Sequence, residues 1–170
     1  VTLSGGTDTI PTLRQVLGQI DGQVPLVIEI KDQDGAMGAN VGTLERAVAD
    51  AVTGYNGDLA IMSFNPHAIA AIAPMVENTP LGLVTDRFLC DDWPLLKDTT
   101  RAHLAQIADF DRVGASFISH NQSQLDDAAV AALKSRGIPI LCWTVKSHAD
   151  EVEARKVADN ITFEGYLAPL

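Results

Sequence analysis

The chain is short of cysteine, of basic residues and of long apolar runs. Its two cysteines, Cys90 and Cys142, are too few for a disulfide framework and fall in no metal-type spacing. Cys142 lies inside an apolar run and reads as a plain core residue. Lys and Arg number 12 against 22 Asp and Glu, which leaves a formal charge of -10 and a pI near 4.6. Nucleic acid and anionic membrane surfaces both require a basic face, so neither is expected as the main partner. A small anionic substrate stays open if a metal or a local cation receives it. No run of 18 or more apolar residues occurs, so stable membrane insertion is not expected, and the opening residues do not read as a signal peptide. The sequence opens on Val1 rather than Met, so its natural start is expected to lie upstream. Localisation stays open, with the cytoplasm favoured. Also missing is any glycine-rich phosphate loop between a strand and a helix, which weakens a nucleotide-binding reading.

What is present suffices for a core. Hydrophobic residues make up 46% of 170, which excludes wholesale disorder and suits one domain or a piece of a larger one. Short apolar runs recur as "PLVIEIK", "DLAIMSF", "PLGLVT", "GASFIS", "GIPILCWTV" and "NITFEGY". Helical periodicity separates them. Val41, Leu44, Val48 and Val52 form one apolar stripe. In "NPHAIAAIAPMVEN", Asn65 can cap and Pro66 suits the first helical position. "SQLDDAAVAALKSRG" predicts a helix with Ser123 as N-cap, Asp126 in the first turn and Gly137 as the stop. A further helix is predicted from Ser147, another over Arg101 to Phe110 after a loop holding Trp93 and Pro94, and one from about Pro11.

Strands alternating with helices, with no hairpin signals, imply a parallel sheet. The open choices are a doubly wound sheet and a (β/α) barrel. Polar groups gather at strand C-termini: Glu29 and Lys31, Ser63 and Asn65, Asp86, His120 and Asn121, Trp143 and Thr144. Barrel enzymes build their sites there, so the expected fold is a (β/α) TIM-type barrel. Such a barrel has eight strands and only six are read here. The chain is expected to be a single, partial barrel domain over residues 1–170.

The run "PLVIEIKDQDG" carries charges where a buried strand is expected. Alternation puts Val27, Glu29 and Lys31 on one face and Leu26, Ile28 and Ile30 on the other. Three readings compete for Glu29 and Lys31, about 6–7 Å apart along the strand. They can be a structural ion pair, which costs several kcal/mol of desolvation per ion if buried. Lys31 can be a Schiff-base lysine, which needs a lowered pKa. Or Glu29 can be an oxygen ligand for a hard divalent cation while Lys31 holds an anionic oxygen of the substrate.

Other candidates carry a bland reading beside the functional one. Trp143 and Phe64 are core residues by default, but Trp143 stands at a strand's C-terminal end. His120, directly after "SFIS", is the best spare candidate for substrate contact. His103 reads as an ordinary mid-helix residue, and His67 and His148 as solvated first-turn residues. Asp32 and Asp34 match only part of a calcium loop and read as a solvated turn.

"IPTLRQVLGQIDGQVPLVIEIKD", followed in order by "AIMSFNP", "PLGLVTD" and "SRGIPILCWTV", resembles the glycerophosphodiester phosphodiesterases. The resemblance spans about Ile10 to Pro169. It implies a (β/α) barrel that hydrolyses glycerophosphodiesters to glycerol 3-phosphate and an alcohol, with a divalent cation, magnesium or calcium. By position it implies Glu29 as a metal ligand, Lys31 as the catalytic phosphate contact, and Phe64 and Trp143 as pocket walls. Two departures accompany it. The family's last strand ends in a threonine-aspartate pair, where this chain has Phe163 and Glu164. The family's catalytic histidine pair and two further carboxylates lie on two earlier strand units that this sequence lacks. The expectation is therefore the C-terminal part of such an enzyme, inactive alone and completed by the rest of a longer chain or by a second copy. The alternative is a non-catalytic remnant or interaction module of the same barrel fold.

Overall fold

A computed structural model describes residues 4–7 and 9–169. The six apolar runs form β1 (Leu26–Glu29), β2 (Leu59–Ser63), β3 (Leu81–Thr85), β4 (Phe117–Asn121), β5 (Ile140–Val145) and β6 (Asn160–Phe163). Between and before them run α1 (Leu13–Ile20), α2 (Thr43–Val52), α3 (Pro66–Ile72), α4 (Asp98–Ala105), α5 (Ala128–Ser135) and α6 (His148–Ala154). The strands pair in sequence order, β1-β2-β3-β4-β5-β6, and every pairing is parallel. A doubly wound sheet would reverse its order at a switch point; this one never does. The result is a curled half-barrel of α/β type.

Register decides which side chains meet. Ile61 pairs with Leu81, Leu83 with Ile118, and Ile118 with Ile140, so these share one face. They form one core with Val48 and Val52 of α2, Ile69 and Ile72 of α3, and Val130 and Leu133 of α5. The helices therefore cover this face. The opposite face, the barrel lumen, carries Glu29, Met62, Gly82 and Phe117 in one continuous register, and Val84, Ser119 and Leu141 in the next. Gly82 is required there: a Cβ at this position would stand 2.3 Å from ring carbons of Phe117.

Local chemistry explains most boundaries. Thr12 opens α1 with a reciprocal capping box: its Oγ1 accepts from Gln15 N, and Gln15 Oε1 accepts from Thr12 N. Asn65 Oδ1 accepts from His67 N and Pro66 takes the first position of α3. Ser147 caps α6 through Asp150 N.

Three expectations need correcting. Ser123 does not cap α5; it lies in a short 3-10 turn, Gln122–Gln124, and Asp127 precedes the helix instead. Asn121 Oδ1 already accepts from Ser123 N and Oγ, which holds that turn apart from the helix. Helix α4 is Asp98–Ala105 rather than Arg101 to Phe110, because Ile107 adopts φ 51 and breaks the helical path. Strand β1 ends at Glu29, so Lys31 stands just beyond it rather than within it.

Candidate active site

The C-terminal ends of the strands form one mouth. Glu29 closes β1 on the lumen face, and Lys31 follows two residues on, its Nζ donating to Glu29 Oε1 at 2.7 Å. The pair is open to water on the lysine side: the Lys31 side chain is 72% exposed and that of Glu29 22%. Lys31 is neither desolvated nor placed beside a second cation, the conditions that activate a Schiff-base lysine, so the geometry does not favour that chemistry.

The loop after β1 is knitted rather than loosely solvated. Asp32 Oδ1 accepts from Asn65 Nδ2 at 2.7 Å, and the same amide also donates to the Gly38 carbonyl. Ser63 Oγ donates to the Ile30 carbonyl at 2.7 Å. Asp34 accepts from Asn40 Nδ2 and Ala36 N, and these bonds lower its pKa, the Asn40 bond foremost. Asn65 and Ser63 are fully buried. Together they fix the backbone that carries Lys31.

Across the mouth stand aromatic rings. Phe64 follows β2, and its centroid lies 5.4 Å from that of Trp143 on β5, edge-on at 80°. Trp143 Nε1 donates to the Ser119 carbonyl, which fixes the indole against β4. Both rings are half-buried. Two further rings, unclaimed by sequence reasoning, join them: Phe88, and Trp93 from the loop between β3 and α4. Trp93 lies 5.1 Å from Phe64 and 5.0 Å from Phe88. The signal was there in "RFLCDDWPLLK", a connection longer than most βα loops and rich in large apolar residues.

His120 is placed elsewhere. It points to the helix side of β4 and is 1% exposed. Its Nδ1 lies 2.8 Å from Thr85 Oγ1, and its Nε2 stands 3.5 Å from Asp127 Oδ2 without a hydrogen bond. Burial lowers its pKa, against the opposing pull of Asp127 and Asp86. The structure brings Glu29, Lys31, Phe64 and Trp143 to the mouth, and does not bring His120 there. Of the other histidines, His103 pairs with Asp109 at 2.8 Å, and His148, 71% exposed, stands near Glu151. Cys142 is buried, and burial raises its thiol to about 11, as fits an inert core residue.

The model of the glycerophosphoryl diester phosphodiesterase family matches residues 2–160. The chain belongs to that family. Its fold is shared with solved family structures, which are of TIM-barrel type. A putative glycerophosphoryl diester phosphodiesterase from Silicibacter pomeroyi superposes with a TM-score of 0.71 at 19% identity, over 90% of this chain and 52% of that one. A putative glycerophosphodiester phosphodiesterase from Galdieria sulphuraria gives 0.70 at 16% identity, over 96% and 63%. An Oleispira antarctica phosphodiesterase, solved in complex with the product sn-glycerol-3-phosphate, gives 0.64 at 15% identity, over 88% and 54%. The chain thus spans less than two thirds of the length of these structures. Among curated proteins, none matches it.

Family membership implies a divalent cation, and the donors here can be tested against one. A hard cation takes six or more oxygen ligands, several of them usually carboxylate. Among the described residues no group of three or more His, Cys, Asp or Glu side chains converges to hold a metal. Glu29 offers one carboxylate, already bonded to Lys31. The described residues alone therefore do not fit the ion.

Proposed function

We propose that this chain is the C-terminal part of a barrel enzyme that hydrolyses glycerophosphodiesters to glycerol 3-phosphate and an alcohol. The observation that carries the reading is the Glu29–Lys31 pair at the lumen mouth, facing the Phe64–Trp143 wall, in a chain of this family. Lys31 has a long exposed stem and one carboxylate partner. It can turn to a phosphate oxygen and stabilise the negative charge that grows there in the transition state. Phe64 and Trp143 offer an apolar wall to the carbon skeleton of the glycerol.

Glu29 is proposed as one oxygen ligand of a magnesium or calcium ion. Because the described residues supply no sufficient set of donors, the other ligands and the acid–base pair are assigned to two further strand units. Two observations support this division. Among the described residues the sheet has six strands where a barrel of this type has eight, and the chain covers 52% to 63% of the family structures compared above. The open edges at β1 and β6 would be closed by those units, or by a second copy of the chain.

The test uses the purified chain, glycerophosphocholine, and magnesium or calcium, with release of glycerol 3-phosphate as readout. No turnover is expected. Calorimetric titration with glycerol 3-phosphate should nonetheless give binding that Lys31→Ala abolishes. Turnover by the chain would show that the acid–base groups lie among its own residues. Absence of binding, or binding that Lys31→Ala leaves unchanged, would favour a non-catalytic interaction module on the same barrel.

A further inference from the structure

Lys31 stands beyond the last pairing of its strand. The ladder between β1 and β2 ends with Glu29 opposite Met62, and a single bond, from Ile30 N to the Met62 carbonyl, continues it. Among the described residues β1 is also an edge strand, so no neighbour holds it from the other side. A side chain that meets a ligand in one geometry needs a backbone held in one place.

A buried polar cluster from the end of β2 supplies that hold. Ser63 Oγ donates to the Ile30 carbonyl at 2.7 Å and accepts from Asn65 N at 3.1 Å. Asn65 Nδ2 donates to Asp32 Oδ1 at 2.7 Å and to the Gly38 carbonyl at 2.9 Å. Asp32 Oδ2 in turn accepts from Met37 N. Ile30 and Asp32, the residues on either side of Lys31, are thus each anchored to a side chain that follows or closes β2. Ser63 and Asn65 are both 0% exposed. A buried hydroxyl or carboxamide is costly unless it is bonded, and a fully bonded network fixes one arrangement.

Helix capping alone does not account for the cluster. A cap for α3 needs only Asn65 Oδ1, which accepts from His67 N at 2.9 Å. Serine or aspartate would cap as well. The two N–H groups of the carboxamide, which neither of those residues has, are both directed at the loop that carries Lys31.

We propose that Ser63, Asn65 and Asp32 are positioning residues for Lys31, and that their bonds set where its ammonium meets an anionic oxygen of the ligand. They act through the backbone on either side of Lys31 rather than by contact with the ligand. This rests on the reading of Lys31 as the phosphate contact and names the residues that make the contact accurate. A binding group misplaced by about 1 Å can lose up to about 100-fold in effect.

The test measures glycerol 3-phosphate affinity by calorimetry and stability by urea denaturation on the same variants of the purified chain. Asn65→Ser keeps a cap for α3 and removes both donor bonds. With folding checked by circular dichroism, it should weaken binding about tenfold. Asn65→Asp alone sets two carboxylates face to face and should be at least as weak. Adding Asp32→Asn to it reverses the bond, with position 32 donating and position 65 accepting, and leaves the cap in place. That pair should return to within about threefold of the unaltered chain. A lower urea midpoint with unchanged affinity would overturn the proposal and leave the cluster a helix cap. A pair no tighter than Asn65→Asp alone would also overturn it, because the bond between positions 32 and 65 would not be the cause. Should the unaltered chain itself fail to bind, the reading of Lys31 falls and the positioning role falls with it. Variants that bind as tightly as the unaltered chain overturn the positioning role alone.

Discussion

The two faces of the sheet differ in how completely this chain closes them. On the helix side Ile61, Ile118, Ile140 and Cys142 are all 0% exposed, locked between the strands and α2, α3 and α5. On the lumen side Val27 is 50% exposed, and a glycine, a buried serine, a half-buried tryptophan and a charged pair take the places of aliphatic side chains. One face is a finished core. The other is a surface whose enclosure needs a full circle of strands. Stability should therefore reside on the helix side and binding on the lumen side.

The sharpest contrast comes from two truncations. Ile118→Ala leaves a cavity in a layer with no room to relax and should cost about 2–5 kcal/mol. Val27→Ala, on the lumen face, should stay within about 0.5 kcal/mol. Urea denaturation of both variants measures the difference. Equal losses would mean that the lumen face is closed in solution, and a concentration-dependent midpoint would identify a second copy as the cover.

The bottom of the lumen is an exception that can be broken deliberately. Gly82→Ala sets a methyl group against the Phe117 ring at 2.3 Å, far inside contact distance, and should destabilise by about 1–3 kcal/mol. Shrinking the ring in Gly82→Ala with Phe117→Leu should recover part of that loss, because the two positions share one space. Strict additivity of the two changes would show that the ring moves aside freely.

How much of this was legible in the sequence follows the same division. Helix-side order is dictated by periodicity: the Val41, Leu44, Val48, Val52 stripe and the six apolar runs each found their elements. Glu29 and Lys31 stood out because charge in an apolar strand violates a local pattern. The contact of Trp93 with Phe64 did not, because Trp93 reaches that ring through a loop whose path no period encodes. Ser123 misled because Ser before an acidic turn satisfies capping rules locally. The competitor is Arg87, distant in sequence, whose Nε binds Asp127 at 2.7 Å and ties the start of α5 to β3. His120 misled for a simpler reason: a strand-end histidine points to one face or the other by parity, and a shift of one residue reverses the answer.

That parity makes His120 a pH probe of the helix side. Burial lowers its pKa below the ordinary 6.5, so the folded protein resists a proton that the unfolded chain accepts. Where the unfolded state binds more protons, stability rises with pH. The contribution is complete above the unfolded value and is lost as pH falls below it. Urea midpoints should drop between about pH 7.5 and about pH 5.5, and His120→Gln, which cannot titrate, should flatten the drop. The paired carboxylates Asp109, Asp159 and Glu151, all lowered in pKa, act only at more acidic pH. A slope that survives His120→Gln would assign the titration elsewhere.

The smallest effect on stability should come from the Glu29–Lys31 pair. A Lys31 side chain 72% exposed loses little water on pairing with Glu29, and exposed pairs contribute about 0–1 kcal/mol. Glu29→Gln keeps the shape of the side chain and can still accept from Lys31, so its urea midpoint should barely move. Lys31→Ala should be equally silent in denaturation yet abolish glycerol 3-phosphate binding. If the pair were structural, the order would invert: either substitution would lower the urea midpoint measurably, with binding unchanged. Measuring both quantities on the same two variants separates the readings, since a lumen residue kept for a ligand and a residue kept for the fold cannot give the same pair of answers.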